Sequence, residues 1–253
     1  MYQRDIEIEK NRFDKRAKNK LSESTYKYNK GSDAICESIR SPYLYFERLI
    51  KNLKKNMRVL EIGSGTGEYT GSILENGSNV TASDISPNCI KLIENKYQDY
   101  LNNGTLNTVV ANMENLPFDD ETFDAVVIAG SLSYGKASIV DKEINRVLRK
   151  GGIFLCVDSL NDNFIYRFNR YIHFLKHNRS RLTLENIPDV YRLENLHHYY
   201  SKISLTYFGG ISWIMFFLKK IIGRKIAKRL SDYYDHVFSV KSSAFKFVII
   251  ARK

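Results

Sequence analysis

Residues 59–67 read Val-Leu-Glu-Ile-Gly-Ser-Gly-Thr-Gly, an apolar run cut off by three glycines at alternate positions. The apolar stretch 57–62 has the composition of a parallel strand buried on both faces. Gly63, Gly65 and Gly67 lack the Cβ atoms that would hold a ligand away from the backbone amides. A strand that stops at such a turn and resumes as a helix restricts the chain to an open α/β sheet with a binding turn after its first strand. A nucleotide-like ligand is what such a turn admits.

The carboxylates narrow the ligand. A dinucleotide turn needs Gly-x-Gly-x-x-Gly, and Glu68 stands where its last glycine would be, with Glu61 just upstream. Two like charges about 4 Å apart repel by roughly 4 kcal/mol at an effective dielectric near 20, more than a helix terminus returns to a pyrophosphate. A cationic ligand reverses the sign, and S-adenosylmethionine brings a sulfonium and an ammonium with a single carboxylate. Residues 59–67 closely resemble the first motif of the class I S-adenosylmethionine-dependent methyltransferases, and later segments agree in order over residues 41–160. The resemblance implies a doubly wound, mostly parallel, seven-stranded Rossmann-like α/β sheet with an auxiliary acceptor-binding insertion.

It also implies a cofactor site. Glu61, Gly63, Ser64, Gly65 and Gly67 fall in the turn. Asp84 ends a second strand, 79–84, roughly 20 residues beyond the glycines, where it is expected to bind the ribose diol; the competing reading is a cap for the helix opening at Ser86-Pro87. Ile85 would pack on the adenine. Asn112 and Met113 stand in a segment similar to the family's Asp-Ala-Glu-x-Leu-Pro-Phe, Asn112 replacing the usual aspartate against the adenine amino group, Met113 covering the ring or filling the core. Ser131 and Leu132 follow a fourth strand, 123–129, where the family's chain passes the sulfonium.

Alternation of strands and helices continues to residue 159. A helix over 138–149 is expected to stop at Lys150-Gly151-Gly152, before a fifth strand at 153–158, and the resemblance makes the last strand, 244–251, antiparallel. Residues 1–40 read as an arm or cap, 41–159 as the cofactor-binding core, 160–202 as the acceptor insertion and 203–253 as the strands and basic amphipathic helix that complete the core. In the arm, Tyr26 and Tyr28 would cover the cofactor, as the arm of similar enzymes does.

In the insertion, aromatic and guanidinium side chains mix as a sugar and phosphate or carboxylate site would require: Tyr166, Arg167, Arg170, Arg179 and Arg181, with Tyr134 from the core. Taken singly, each arginine also suits a surface helix. His197 and His198 are the candidate general bases, for a hydroxyl or ammonium acceptor only. The expected acceptor is an oxygen or nitrogen of a small molecule or of a glycan or lipid-linked intermediate, since the insertion resembles that of methyltransferase type 11 proteins.

The net charge of +11 is concentrated at both ends of the chain. It raises the alternative of an RNA methyltransferase that collects phosphates on a basic surface. No appended RNA-binding module supports that, and nucleic acid is not the expected partner. Residues 211–223 are the most apolar run, and positions 211, 214, 218, 221, 222 and 230 share one helical face. The run is too short for a bilayer; it reads as a helix packed on the sheet or a dimer partner, or as an interfacial helix at the inner leaflet. Three cysteines with no Cys-x-x-Cys or Cys/His spacing suggest reduced thiols, no metal site and a cytoplasmic protein.

Overall fold

The computed structural model describes residues 2–22, 31–34, 40–175, 180–238 and 240–253. Tyr26, Tyr28 and Arg179 lie outside the described residues. Seven strands form one sheet: β1 (Arg58–Ile62), β2 (Asn79–Asp84), β3 (Leu106–Val110), β4 (Phe123–Ala129), β5 (Leu148–Ser159), β6 (Lys202–Phe208) and β7 (Lys246–Arg252). Their order is β3-β2-β1-β4-β5-β7-β6. The first five run parallel, and β7 lies antiparallel between β5 and β6. This is the doubly wound sheet the sequence predicts.

Helices cover both faces: α1 (Tyr2–Ser22), α2 (Ser41–Lys51), α3 (Thr70–Glu75), α4 (Pro87–Lys96), α5 (Gln98–Asn102), α6 (Ala137–Val147), α7 (Phe164–Leu175), α8 (Arg181–Glu185), α9 (Val190–Asn195), α10 (Ser212–Ile222) and α11 (Arg224–Val237). β4, Phe-Asp-Ala-Val-Val-Ile-Ala, is buried along nearly its whole length because neighbours flank it in the sheet and helices cover both faces. Phe46 and Ile50 of α2 close one face; Val140 and Ile144 of α6, with Leu193 and Leu196 after it, close the other. Each such side chain, fully buried, contributes about 2 kcal/mol.

Two local expectations change. α6 ends at Val147, and Lys150-Gly151-Gly152 belongs to β5: Gly151 donates its amide to the Lys253 carbonyl at 2.9 Å, and Lys253 donates back to Gly152 at 3.1 Å. The stretch is rescued from being a loop by pairing with the far end of the chain. The apolar face expected over 211–230 is not one helix, because Gly223, at φ 82° and ψ 153°, separates α10 from α11.

Candidate cofactor and acceptor site

Strand order reverses at β1, whose neighbours β2 and β4 lead away in opposite directions, and ligands of such sheets bind at the carboxyl ends of the strands beside that reversal. A cavity of about 380 Å³ lies there, between the ends of β1, β2 and β4 and the overlying α1. Glu61, Gly63, Ser64, Gly65, Asp84, Ile85, Asn112, Met113, Ser131 and Tyr134 all line it, along with Glu68.

The turn has the backbone its glycines allow. Gly63 sits at φ 66°, where a Cβ would come within 2.5 Å of Ser131 Oγ. Gly65 sits at φ 55°, where a Cβ would meet Glu68 Oε2 at 3.7 Å, and its amide donates to Asp84 Oδ2 at 2.9 Å. Asp84 Oδ1 accepts from the Ser86 amide at 2.9 Å, and Ser86 Oγ caps α4 by accepting from the Cys89 amide at 3.1 Å. Asp84 therefore fixes both the turn and the start of α4 while facing the cavity. Burial raises its pKa, opposed by the hydrogen bonds from Ser86 and Gly65.

Glu61, 3% exposed, accepts from Thr70 Oγ1 at 2.6 Å. Burial pushes its carboxyl up to about 8; the Thr70 bond works against this, and the charges of Glu68 and Asp84 add to it. The Tyr69 hydroxyl, buried with no hydrogen-bond partner among the described residues, belongs to another cavity-lining side chain. Asn112 lines the cavity, and its Oδ1, the atom expected to meet the adenine amino group, accepts from the Glu114 amide at 3.0 Å.

Gly67 and Leu132 do not line the cavity. A Cβ on Gly67 would meet Ile93 and Tyr97 at 3.0 and 3.1 Å, so this glycine serves the packing of the turn on α4. Leu132 is buried in the core, and its amide donates to Asp158 Oδ2 at 2.9 Å.

The acceptor residues expected in the insertion lie elsewhere. Tyr166 donates to the Gly209 carbonyl at 3.1 Å. Arg170 is buried, donating to the Leu160 carbonyl at 2.7 Å, and so ties its own helix to the chain leaving β5. Arg167 is exposed; Arg181 is also exposed and pairs with Glu185 at 2.6 Å. None of the described residues 160–202 lines the cavity. His197 and His198 are exposed and precede β6, whose first residue aligns with Arg252 and, through it, with Ile153. That is the amino end of the parallel strands, opposite the cavity, so neither histidine faces it.

The residues that sequence reasoning missed come from α1. Ile6, Glu9, Phe13 and Arg16 line the cavity, as do Tyr43 and Tyr69. α1 is held along its length, and Lys20 near its end donates to Thr66 Oγ1 at 3.1 Å. Asp14 accepts from Ser86 Oγ at 2.8 Å and Asn88 Nδ2 at 2.7 Å; Glu9 Oε1 accepts from the Ser180 amide at 3.0 Å and Thr183 Oγ1 at 2.8 Å; Phe13 meets the Tyr134 ring edge-on at 5.2 Å. The signal was present: Ile6, Phe13, Ala17 and Leu21 follow helical spacing, and Ala17 packs with Cys89 and Leu92 of α4.

The groups present fit S-adenosylmethionine: a turn whose glycines take left-handed backbone, a buried carboxylate at the end of β2, a proton-holding carboxyl at the end of β1 and an orphaned hydroxyl. The sheet, with its order and its antiparallel β7, is that of the Rossmann-like class I methyltransferase fold. Residues 60–156 match the family model described as a methyltransferase domain.

Among curated relatives, the ubiquinone/menaquinone biosynthesis C-methyltransferase UbiE of Proteus mirabilis is 31% identical over 141 residues, 52% of this chain and 54% of that protein. A sterol 4-C-methyltransferase of Caenorhabditis elegans is 30% identical over 128 residues, 50% of this chain and 38% of the relative. The chain thus spans about half or less of the curated relatives it matches. The crystal structure of geranyl diphosphate C-methyltransferase from Streptomyces coelicolor A3(2), with geranyl diphosphate and S-adenosyl-L-homocysteine, superposes with a TM-score of 0.61 at 15% identity, covering 95% of this chain and 97% of that one.

Proposed function

We propose that this protein transfers a methyl group from S-adenosylmethionine to a small, largely apolar acceptor held under α1, and that the receiving atom is an electron-rich carbon. The observation that carries this reading is the pair of buried carboxyl groups, Glu61 and Asp84, around the glycine turn of a cavity of about 380 Å³. In this reading Asp84 accepts from the ribose hydroxyls, Ile85 and Met113 flank the adenine, and Asn112 meets its ring edge. Glu61 and Glu68 face the cationic end, and the Tyr69 hydroxyl, which has no partner among the described residues, donates to the cofactor carboxylate. Ser131, bonded to the Ile62 carbonyl at 3.1 Å, borders the sulfonium.

The cofactor brings a methyl group already activated by its positive sulfur. The chain has to align it with the acceptor and exclude water, and alignment alone is worth several kcal/mol. Ile6, Phe13, Tyr43 and Tyr134 offer an apolar and aromatic wall for the acceptor. Glu9 and Glu68 of the lining pair with Arg12 and Lys20, while the buried Asp84 and Glu61 at the turn disfavour a phosphate there. Both curated relatives described above are named for methylation at carbon, which favours that atom over the oxygen or nitrogen expected from the sequence.

A screen with methyl-labelled S-adenosylmethionine over phenols and quinols, isoprenoids, glycolipids, sugar nucleotides and total RNA tests this. Label on carbon of an apolar small molecule is the expected result. Label on oxygen or nitrogen would move the reacting atom, label in RNA would overturn the acceptor class, and tight cofactor binding without turnover on any acceptor would overturn the transfer itself.

A further inference from the structure

Large apolar side chains stand in solvent on three helices. Phe164 (77% exposed) and Phe168 (66%) do so on α7, Ile221 (82%) at the end of α10, and Leu230 and Tyr233 (68%) on α11. The helices are neighbours, because Tyr166 of α7 bonds to Gly209 just ahead of α10, and α10 packs on α11. α11 is moored to the body of the protein through Asp235, which accepts from the amides of Gly209 and Gly210 at 2.7 and 3.0 Å.

Exposed charge on this flank has one sign. Arg167, Lys220, Lys225 and Arg229 are exposed, and α7 and α10 contain no acidic residue. The acidic residues of α11, Asp232 and Asp235, are half-buried and engaged, Asp232 with Lys228 and Ser41, Asp235 with the two glycine amides.

Large apolar side chains exposed on three neighbouring helices, beside cations of one sign, point to an interaction face. A second copy related by a two-fold axis would set these cations against each other, which disfavours self-pairing. Aromatic and aliphatic side chains mixed with lysine and arginine on adjacent helices suit a surface of anionic lipid headgroups, where the apolar groups enter the headgroup boundary and the cations meet phosphate. No helix among the described residues is long and apolar enough to cross a membrane, so the contact is peripheral. We propose that α7, α10 and α11 seat this protein on an anionic bilayer surface. β5 and β6 both deliver the chain to these helices from their carboxyl ends, so the flank lies at the end of the sheet that bears the cavity. The proposal does not depend on the chemistry of methyl transfer.

The test is sedimentation of the full chain with vesicles of phosphatidylcholine alone or mixed with phosphatidylglycerol, at low and high salt. The expected result is binding to the mixed vesicles, weaker by about tenfold or more on phosphatidylcholine and weakened by salt. The double variant Phe168→Ser, Ile221→Ser and the triple variant Lys220→Gln, Lys225→Gln, Arg229→Gln should each lose about tenfold. A lowered unfolding midpoint in the double variant passes the decision to the triple, whose side chains are exposed. Parent protein left in the supernatant with mixed vesicles overturns the proposal. So does undiminished binding by the variants, or self-association of the parent that the variants abolish.

Discussion

A carboxyl group buried beside two other carboxylates holds its proton near neutral pH, and Glu61 is in that position. The proposed cationic cofactor binds best to the ionised form, so its affinity is expected to rise with pH and level off above about 8, with a proton released on binding below that. Calorimetry in buffers of different protonation enthalpy measures that proton. Glu61→Gln should flatten the pH profile and weaken binding by roughly tenfold. The sign for stability is opposite. With its carboxyl raised from 4.5 to about 8, the folded protein holds more protons than the unfolded chain across that window, so the contribution is present at low pH and is lost as pH rises. Glu61→Gln is therefore expected to raise the unfolding midpoint of the ligand-free protein at pH 8. For Asp84 the cap reading does not hold, because Ser86 caps α4; the Asp84 oxygens instead hold the Gly65 and Ser86 amides while the residue lines the cavity. Asp84→Ala would orphan both amides at about 1–3 kcal/mol each, so the cleaner variant is Asp84→Asn. Roughly 10-fold to 100-fold weaker binding of S-adenosylhomocysteine is expected, and unchanged affinity would leave Asp84 a structural residue only.

At the scale of elements, α1 is the roof of the cavity, and Asp14 is its hinge pin on α4. Burial alone would raise the Asp14 pKa, but hydrogen bonds from Ser86 and Asn88 outweigh it and leave it lowered. Its stabilising contribution is thus present above the ordinary aspartate range and is lost as pH falls through the lowered folded value. Asp14→Ala should cost about 1–2 kcal/mol and speed amide exchange in residues 2–22 and at the start of α4, with little change in the remainder of the sheet. None of this was legible locally, although the spacing of Ile6, Phe13, Ala17 and Leu21 marks an amphipathic helix. Where such a helix docks depends on α4 and α8, far away in sequence. The insertion shows the same lesson from the other side. Arg167, Arg170 and Arg181 have the composition of an acceptor site, yet Arg170 binds a carbonyl of its own segment, Arg181 binds the next turn of its helix, and Arg167 faces solvent.

For the whole molecule, a ligand that bridges β1, β2, β4 and α1 should stabilise the sheet and its roof together. S-adenosylhomocysteine at 100 times its dissociation constant adds about 2.7 kcal/mol, which for a chain of this size raises the melting midpoint by roughly 5–10 °C. NAD at the same concentration is expected to give no shift, and a shift with NAD instead would reverse the assignment of the turn. The parallel sheet, the glycine turn and the carboxylate at the end of β2 were readable because strand burial, turn geometry and register are local matters of side-chain size and backbone freedom. The two histidines were misplaced because residue order does not say which end of a sheet a segment reaches. β7 runs antiparallel between β5 and β6, so the chain must first return to the amino end to start β6, and His197 and His198 are left there. The sequence by itself therefore determined the kind of sheet and the chemistry of the turn after its first strand. Tertiary structure alone decided what closes over that turn and which polar side chains reach it, because those depend on long-range packing and strand direction, which local composition does not encode.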